Sequence, residues 1–386
     1  MISKTTSKDL FLSFFRLGLT AFGGPAMVAQ IRELSINRHR WLDEGDFKNG
    51  VALCQSIPGA TAIQTAAYVG LKSVGVTGAL ASYVGFGLPA FLLMLIFSVL
   101  YARYNSLPEI GSLFSGLQVI VVAIILNAIY AFGKSNVKNI KSALIAILSS
   151  ALFWQGISPF LVVIGAGLAG AILLQTARSE PPSPQTEQKS MHWEAEKIIA
   201  LGCILLTALV GLYIVNAALF TLAAIMLKID LFAFGGGFAS LPLMLHEIVM
   251  AKGWMASETF MDGIALGQVT PGPIVITAAF VGYMVQGLAG AVVATIAIFT
   301  PSFFLVITVA PIFDRLKSSP YFARVIDGIL ASFVGLLLYV LIKFALAVPW
   351  DIIRIILGLG ALAALIRKVD ILYIVPAGAV LSMIFL

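Results

Sequence analysis

Apolar segments of membrane-crossing length follow one another along the whole chain, at about residues 10–30, 50–70, 77–101, 113–133, 142–156, 159–175, 198–216, 219–245, 263–283, 288–311, 325–346, 352–366 and 370–386. In lipid every backbone polar group needs a partner inside the protein, so a spanning segment is a helix or part of a closed barrel. Segments of this length exclude the short alternating strands of a barrel. With 60% hydrophobic and 11% charged residues and a mean hydropathy of +1.02, a water-soluble fold would leave too much apolar surface uncovered. The expectation is an all-α polytopic membrane protein with about 12–13 transmembrane segments, of which 142–156 and 352–366 are short for full spans. Lys4 and Lys8 precede the first stretch as in a signal peptide, but no small-residue cleavage site follows, so it reads as a retained helix. Cys54 and Cys203 form neither a disulfide framework nor a metal-ligand spacing, and both read as core residues.

One polar stretch, TARSEPPSPQTEQKS from Thr176 to Ser190, has linker composition. It separates a first transmembrane repeat (1–175) and a cytoplasmic linker (176–197) from an extra helix (198–217) and a second repeat (218–386). The repeats are copies. A shift of 212 sets Phe22-Gly23-Gly24 on Phe234-Gly235-Gly236, TAAYVG (Thr65 to Gly70) on TAAFVG (Thr277 to Gly282), and Gly75, Gly78 and Pro89 on Gly287, Gly290 and Pro301. With one further residue, Trp41 to Gly59 falls on Trp254 to Gly272, with eight identities in 19 positions. Six spans and one unmatched helix make an odd number, so the second copy should be inverted relative to the first. With the N-terminus inside, 15 Lys and Arg fall on the inner side and 5 on the outer, as the positive-inside rule requires. The exception is the outer loop from Arg32 to Lys48, whose cations are matched by Glu33, Asp43, Glu44 and Asp46. Inverted halves can exchange conformations about a shared central site, the working principle of many secondary carriers. The alternative is a duplication that merely stabilises a bundle.

Both copies carry a cation six residues before their FGG, Arg16 in FRLGLTAFGG and Lys228 in LKIDLFAFGG. A charge at the bilayer centre is costly, so two at matched positions point to a shared anion; snorkelling or ion pairing is the alternative. Asp230 stands too close along the helix to face Lys228. Gly23-Gly24-Pro25, Gly235-Gly236-Gly237, Pro58-Gly59 and Pro271-Gly272-Pro273 should interrupt helices in mid-membrane. Such breaks are tolerated only inside protein or beside a cavity, and the half-helix N-termini they create favour anions. Close packing at small residues is the other reading, and it suits Gly165, Gly167 and Gly170 better than the Pro-Gly pairs. Gln55 and Gln268, with Thr61, Gln64 and Thr270 nearby, either donate to an oxygen-rich ligand or satisfy the broken backbone. Trp41 and Trp254 read as interfacial anchors. His39, His192 and His246 are scattered, so no metal, cofactor or nucleophilic triad is expected.

AFGGP with Arg16 upstream, RWLDEGDF, ALCQSIPG, AFGGGFASLPLMLHEIV and GWMASETFMDGIALGQVTPGPI together resemble the chromate ion transporter family in its long, two-repeat form. The resemblance covers nearly the whole chain. It implies a multi-pass inner-membrane carrier, N-terminus in the cytoplasm, that exports chromate and confers chromate resistance. Sulfate is the look-alike anion. One departure is Ala60, where the second copy has Pro273; this predicts a looser first break. On this reading the substrate site comprises Arg16, Lys228, Gly23, Gly24, Gly235, Gly236, Gln55, Gln268, Pro58, Gly59, Thr270, Pro271 and Gly272. Glu33, Asp230 and Glu247 are candidates for ion coupling. Expected partners are chromate or sulfate and membrane lipid, with a homodimer left open and nucleic acid excluded. A membrane sensor or assembly protein that binds without transporting is the alternative of another class. A reductase lacks any flavin or nicotinamide fingerprint.

Overall fold

The computed structural model describes residues 5–105, 107–175 and 194–386. Most of the expected linker, and His192 with it, lies outside them. The first half contains α1 (Ser7–Gly18), α2 (Gly24–Arg32, continued by a π-helical segment Glu33–Arg38), α3 (Glu44–Ser56), α4 (Thr61–Val74), α5 (Val76–Tyr104), α6 (Pro108–Asn136), α7 (Ile140–Trp154) and α8 (Pro159–Leu173). After α9 (Ala195–Val215) the second half repeats the order. It contains α10 (Ala217–Phe232), α11 (Ser240–Met244, between a 3-10 turn Gly237–Ala239 and a π-helical segment Leu245–Ala251) and α12 (Ser257–Val269). A 3-10 turn (Ile274–Ile276) then leads into α13 (Thr277–Val309), α14 (Phe313–Lys317), α15 (Pro320–Ala347), α16 (Ile352–Ile366) and α17 (Ile371–Phe385). The repeat reaches into the backbone. Gly75 joins α4 to α5 at φ 80°, and Gly287 kinks α13 at φ 58°.

Polar contacts fix which helix ends share an end of the bundle. Ser7 meets Thr77 at the start of α5 (3.5 Å), Glu194 before α9 accepts from Val76 N–H (2.9 Å), and Lys72 late in α4 pairs with Asp46 early in α3 (3.1 Å). Arg32 pairs with Glu44 at 2.5 Å, and its guanidinium holds the Glu44 carboxyl below the usual range. Trp41 stacks on Phe14 of α1 with ring centroids 5.9 Å apart. So α1–α2 and α3–α4 both enter the bundle from one end, break, and return to it.

The segments 10–30 and 50–70, expected as spans, are therefore re-entrant hairpins. Their counterparts 219–245 and 263–283 do the same from the opposite end. There Met250 meets Tyr339, Phe260 meets Phe344, and Asp262 accepts from Tyr101 near the far end of α5. The reason is the break: α1 and α2, or α3 and α4, lie on either side of a sharp turn, and each alone is shorter than a full crossing. Among the described residues, the helices long and apolar enough to cross are α5 and α6 in one half and α13 and α15 in the other, with α9 between the halves, while α7 with α8 and α16 with α17 add pairs of shorter helices. An even number of helices plus α9 remains an odd number, so the halves are inverted, as expected from a different count.

The short helices α7 and α8 form one antiparallel pair along α15. Lys141 donates to Leu173 O at one end, while Trp154 lies against Tyr339 and Lys343 towards the other. Each half lends its long helix to the other: α6 packs on α16 and α17, and α15 packs on α7 and α8. A side chain on Gly328 would strike Gly170 and the Ala166 carbonyl, and one on Gly116 would strike Ser382, its counterpart contact. Helices without a hydrophobic drive to associate in lipid gain from such close backbone approach. Cys54 is buried as expected, but Cys203 is exposed on α9, which has no buried residue. Its surroundings are apolar because they face outward to lipid.

Single cysteines at Ser7 and Arg38, in a chain lacking Cys54 and Cys203, should react with an impermeant thiol reagent from the same face of sealed vesicles. A cysteine at Lys252 should react from the other face. Labelling of the first two from opposite faces would restore α1–α2 as a span.

Candidate functional site

The four breaks meet in the middle of the bundle. Pro58-Gly59 turns α3 into α4 with Gly59 at φ 115°, and Pro271-Gly272-Pro273 turns α12 towards α13 with Gly272 at φ 109°. These φ values favour glycine, because a Cβ would clash with its own backbone. Gly59 N–H donates to Ala233 O (2.9 Å), in the break after α10, and Gly272 N–H donates to Ala21 O (2.8 Å), in the break after α1. These are equivalent bonds. Each hairpin tip of one half thus satisfies a carbonyl freed by the broken helix of the other. The two tips share nearly the same φ although one carries Ala60 and the other Pro273, so the expected loosening is absent. Gln64 explains this by clamping the first tip from within, with its Nε2 donating to Pro58 O at 2.5 Å.

Several helix starts near the bundle ends are capped by side chains, including Thr6, Asp43, Asn139, Asn216, Ser319, Asp351 and Asp370, while those of α5, α6, α8, α9 and α12 have no side-chain cap. Those at mid-bundle have none either. The caps there are Gly23, Ala60, Gly236 and Pro273, none of which offers a side-chain acceptor to the first N–H groups. A side chain at Gly236 would lie 3.7 Å from Thr61 Oγ1, so the start of α4 and the turn into α11 stand beside one another across the halves. Uncapped N–H groups and positive dipole ends from both halves are complementary to an oxyanion.

The matched cations do not converge, which corrects the shared cation pocket. Arg16 is exposed, on the face of α1 opposite the buried Leu10, Phe14 and Gly18. Lys228 is held by Glu247 (2.7 Å) and lies 3.8 Å from the centre of the Phe160 ring. Each cation precedes its break by about a turn and a half, and inversion carries equivalent depths to opposite sides of the midplane.

Gln55 is exposed at the end of α3, three residues before the first tip, and the Thr270 hydroxyl donates to Leu266 O of its own helix. Gln268, the counterpart of Gln55, has a buried Nε2 with no partner. Glu33 is exposed near the bundle end and accepts from Asn37. Glu247 is committed to Lys228. Asp230 is 1% exposed beside the first tip, accepting from Ser302 N–H (2.7 Å) and Oγ (2.5 Å). Sequence reasoning missed Asp262, 5% exposed, which accepts from Tyr101 (2.8 Å) and Gln118 (2.8 Å). An acid inside a span was the signal, since intramembrane carboxylates are rarely incidental. Its counterpart, Asn49, lines a cleft at the other bundle end with Tyr68, Lys72, Phe313 and Asp314.

Opposed halves, broken helices and uncapped half-helix ends at the midplane define a secondary carrier of the inverted-repeat class. The chromate transporter family model matches residues 8–171 and again 220–383, and the chain belongs to that family. It is 41% identical, over 98% of its length and 94% of the relative's, to an uncharacterised transporter of Methanocaldococcus jannaschii. It is 31% identical to a chromate transport protein of Cupriavidus metallidurans, over 94% of the chain and 88% of the relative. A chromate transport protein of Pseudomonas aeruginosa is 28% identical, over 92% of the chain and 85% of the relative. No solved structure matches the chain significantly. The family consists of transport proteins, so this chain is a transporter and not an enzyme.

Glu247→Ala and Lys228→Ala should each lower thermal stability in detergent, and the double variant should lose less than their sum. The expected coupling is about 0.5–2 kcal/mol, limited by the exposure of the lysine. Strict additivity would show that the pair contributes nothing.

Proposed function

We propose that the protein carries chromate, a tetrahedral dianion, across the inner membrane, with the anion held at the midplane by the uncapped starts of α2, α4, α11 and the turn before α13. The observation that carries this reading is the reciprocal pair of tip bonds, Gly59 to Ala233 and Gly272 to Ala21, set among those helix starts. Inversion makes the two tips equivalent, so releasing one and keeping the other opens the centre to one end at a time. The Asp262–Tyr101–Gln118 cluster at one bundle end and the Arg32–Glu44 and Lys72–Asp46 pairs at the other tie each hairpin at its own end. The named relatives that transport chromate supply the substrate.

Efflux with the N-terminus in the cytoplasm is the direction favoured by charge. Assigning the re-entrant hairpins to their own ends moves Arg32, Arg38, Arg40 and Lys48 to the N-terminal side and Lys252 to the other, which sharpens the positive-inside bias. Export of a dianion from a negative-inside cell is downhill by about 4.6 kcal/mol per 100 mV. Such export would confer chromate resistance. Sulfate shares the shape and charge of chromate and is the competing substrate.

In proteoliposomes the purified protein should take up labelled chromate, driven by a positive-inside potential, with sulfate as competitor. Gly59→Ala and Gly272→Ala, forced into a disfavoured φ, should each slow uptake about tenfold or more while the protein remains folded. A wild type without flux, or tip variants with unchanged flux, would reject the reading.

A further inference from the structure

The tip of the first hairpin holds a polar cluster that its counterpart in the second half lacks. Asp230 occupies the place of Gly18, Ser302 that of Ala90, and Gln64 that of Ile276, each under the 212-residue shift. Asp230 Oδ2 accepts from both the N–H and the hydroxyl of Ser302, next to Pro301 inside α13. Asp230 Oδ1 is buried with no partner, and so is Gln64 Oε1, whose amide nitrogen clamps Pro58 O. A side chain at Gly59 would strike both the Ser302 hydroxyl and the Gln64 amide, so these groups face each other across the tip glycine. Asp230 also lies in the turn that ends at Ala233, the acceptor of the Gly59 bond.

Two buried oxygens, both acceptors, with no donor for either are not a stable arrangement if the acid is ionised. A proton on Asp230 Oδ1 removes the charge and turns one acceptor into a donor. The neighbouring groups do not supply an alternative counter-charge. On α5, the Tyr83 hydroxyl donates to Phe299 O (2.7 Å); on α3, Cys54 is buried; on α10 itself, Lys228 leaves from another face to Glu247. Ser302 is the partner from α13.

We infer that Asp230 is the proton-binding site of the carrier, neutral while the first tip is locked onto Ala233 and ionised when that tip opens to water. This rests on the transport reading above. One proton adds to Oδ1 from water as the tip closes and returns to water as it opens, with no other bond made or broken. Because the proton enters and leaves through the same tip, the acid links opening of that end of the carrier to the pH of the water there, through one group present once per chain.

Infrared difference spectra of the purified protein across a pH titration should show a protonated-carboxyl band that disappears in Asp230→Asn. This readout needs no substrate, so it stands even if chromate is not carried. In proteoliposomes clamped at zero potential, changing the pH on the first-tip side should alter wild-type chromate flux, and Asp230→Asn should lose that pH response. Should that variant fail to fold, Ser302→Ala provides the same test. Losing a hydroxyl that favours the ionised acid should move the midpoint of the carboxyl band up by about one pH unit. A band that persists in Asp230→Asn, a pH response of flux that survives it, or an unmoved midpoint in Ser302→Ala would overturn the inference.

Discussion

Interrupted helices in a membrane protein depend on where their freed backbone groups find partners, since lipid offers none. Here they find them in each other. The amide of each hairpin tip bonds the carbonyl of the opposite half's broken helix, so neither half is complete at its centre without the other. That exchange allows proline and glycine to stand at mid-bundle, and it leaves helix starts there without side-chain caps.

Mobility and specificity follow from the same arrangement. Two equivalent bonds hold the centre, and each closes one hairpin against the other half. The long helices cross over between halves, α6 to α16 and α17 and α15 to α7 and α8, with contacts as close as Gly170 on Gly328. Close backbone approach also ties each hairpin to the long helix of its own half, as at Gly18 on Phe86 and Gly70 on Gly78, whereas each tip contributes one amide–carbonyl bond across the halves. The halves also differ in chemistry: Asp230, Ser302 and Gln64 surround one tip, and Asp262 joins the other hairpin to α5 and α6. An exact twin would have no reason to prefer one end.

Arg16 and Lys228 illustrate how a correct symmetry can lead to a wrong meeting point. Their equivalence was legible in the sequence, and so was the cost of placing a cation there. Their depth was not, because it depends on whether α1 and α10 continue through the membrane or stop halfway. The loop from Arg32 to Lys48 carried a hint. Its cations contradicted an outer placement, and the structure resolves the contradiction by returning that loop to the N-terminal end.

The sequence by itself determined the membrane class, the duplication and its register, the inversion and the positions of the four breaks, because hydropathy, repeated glycines and prolines, and an odd helix count are properties of the chain in order. Tertiary structure alone decided that the broken segments fold back, that the tips bond across the halves, and that Lys228 answers to Glu247 rather than to Arg16. It also brought Asp230, Ser302 and Gln64 together from three distant segments. A chain of apolar letters records which backbone groups are left unpaired, but which ones find each other is settled only when two inverted halves are packed together.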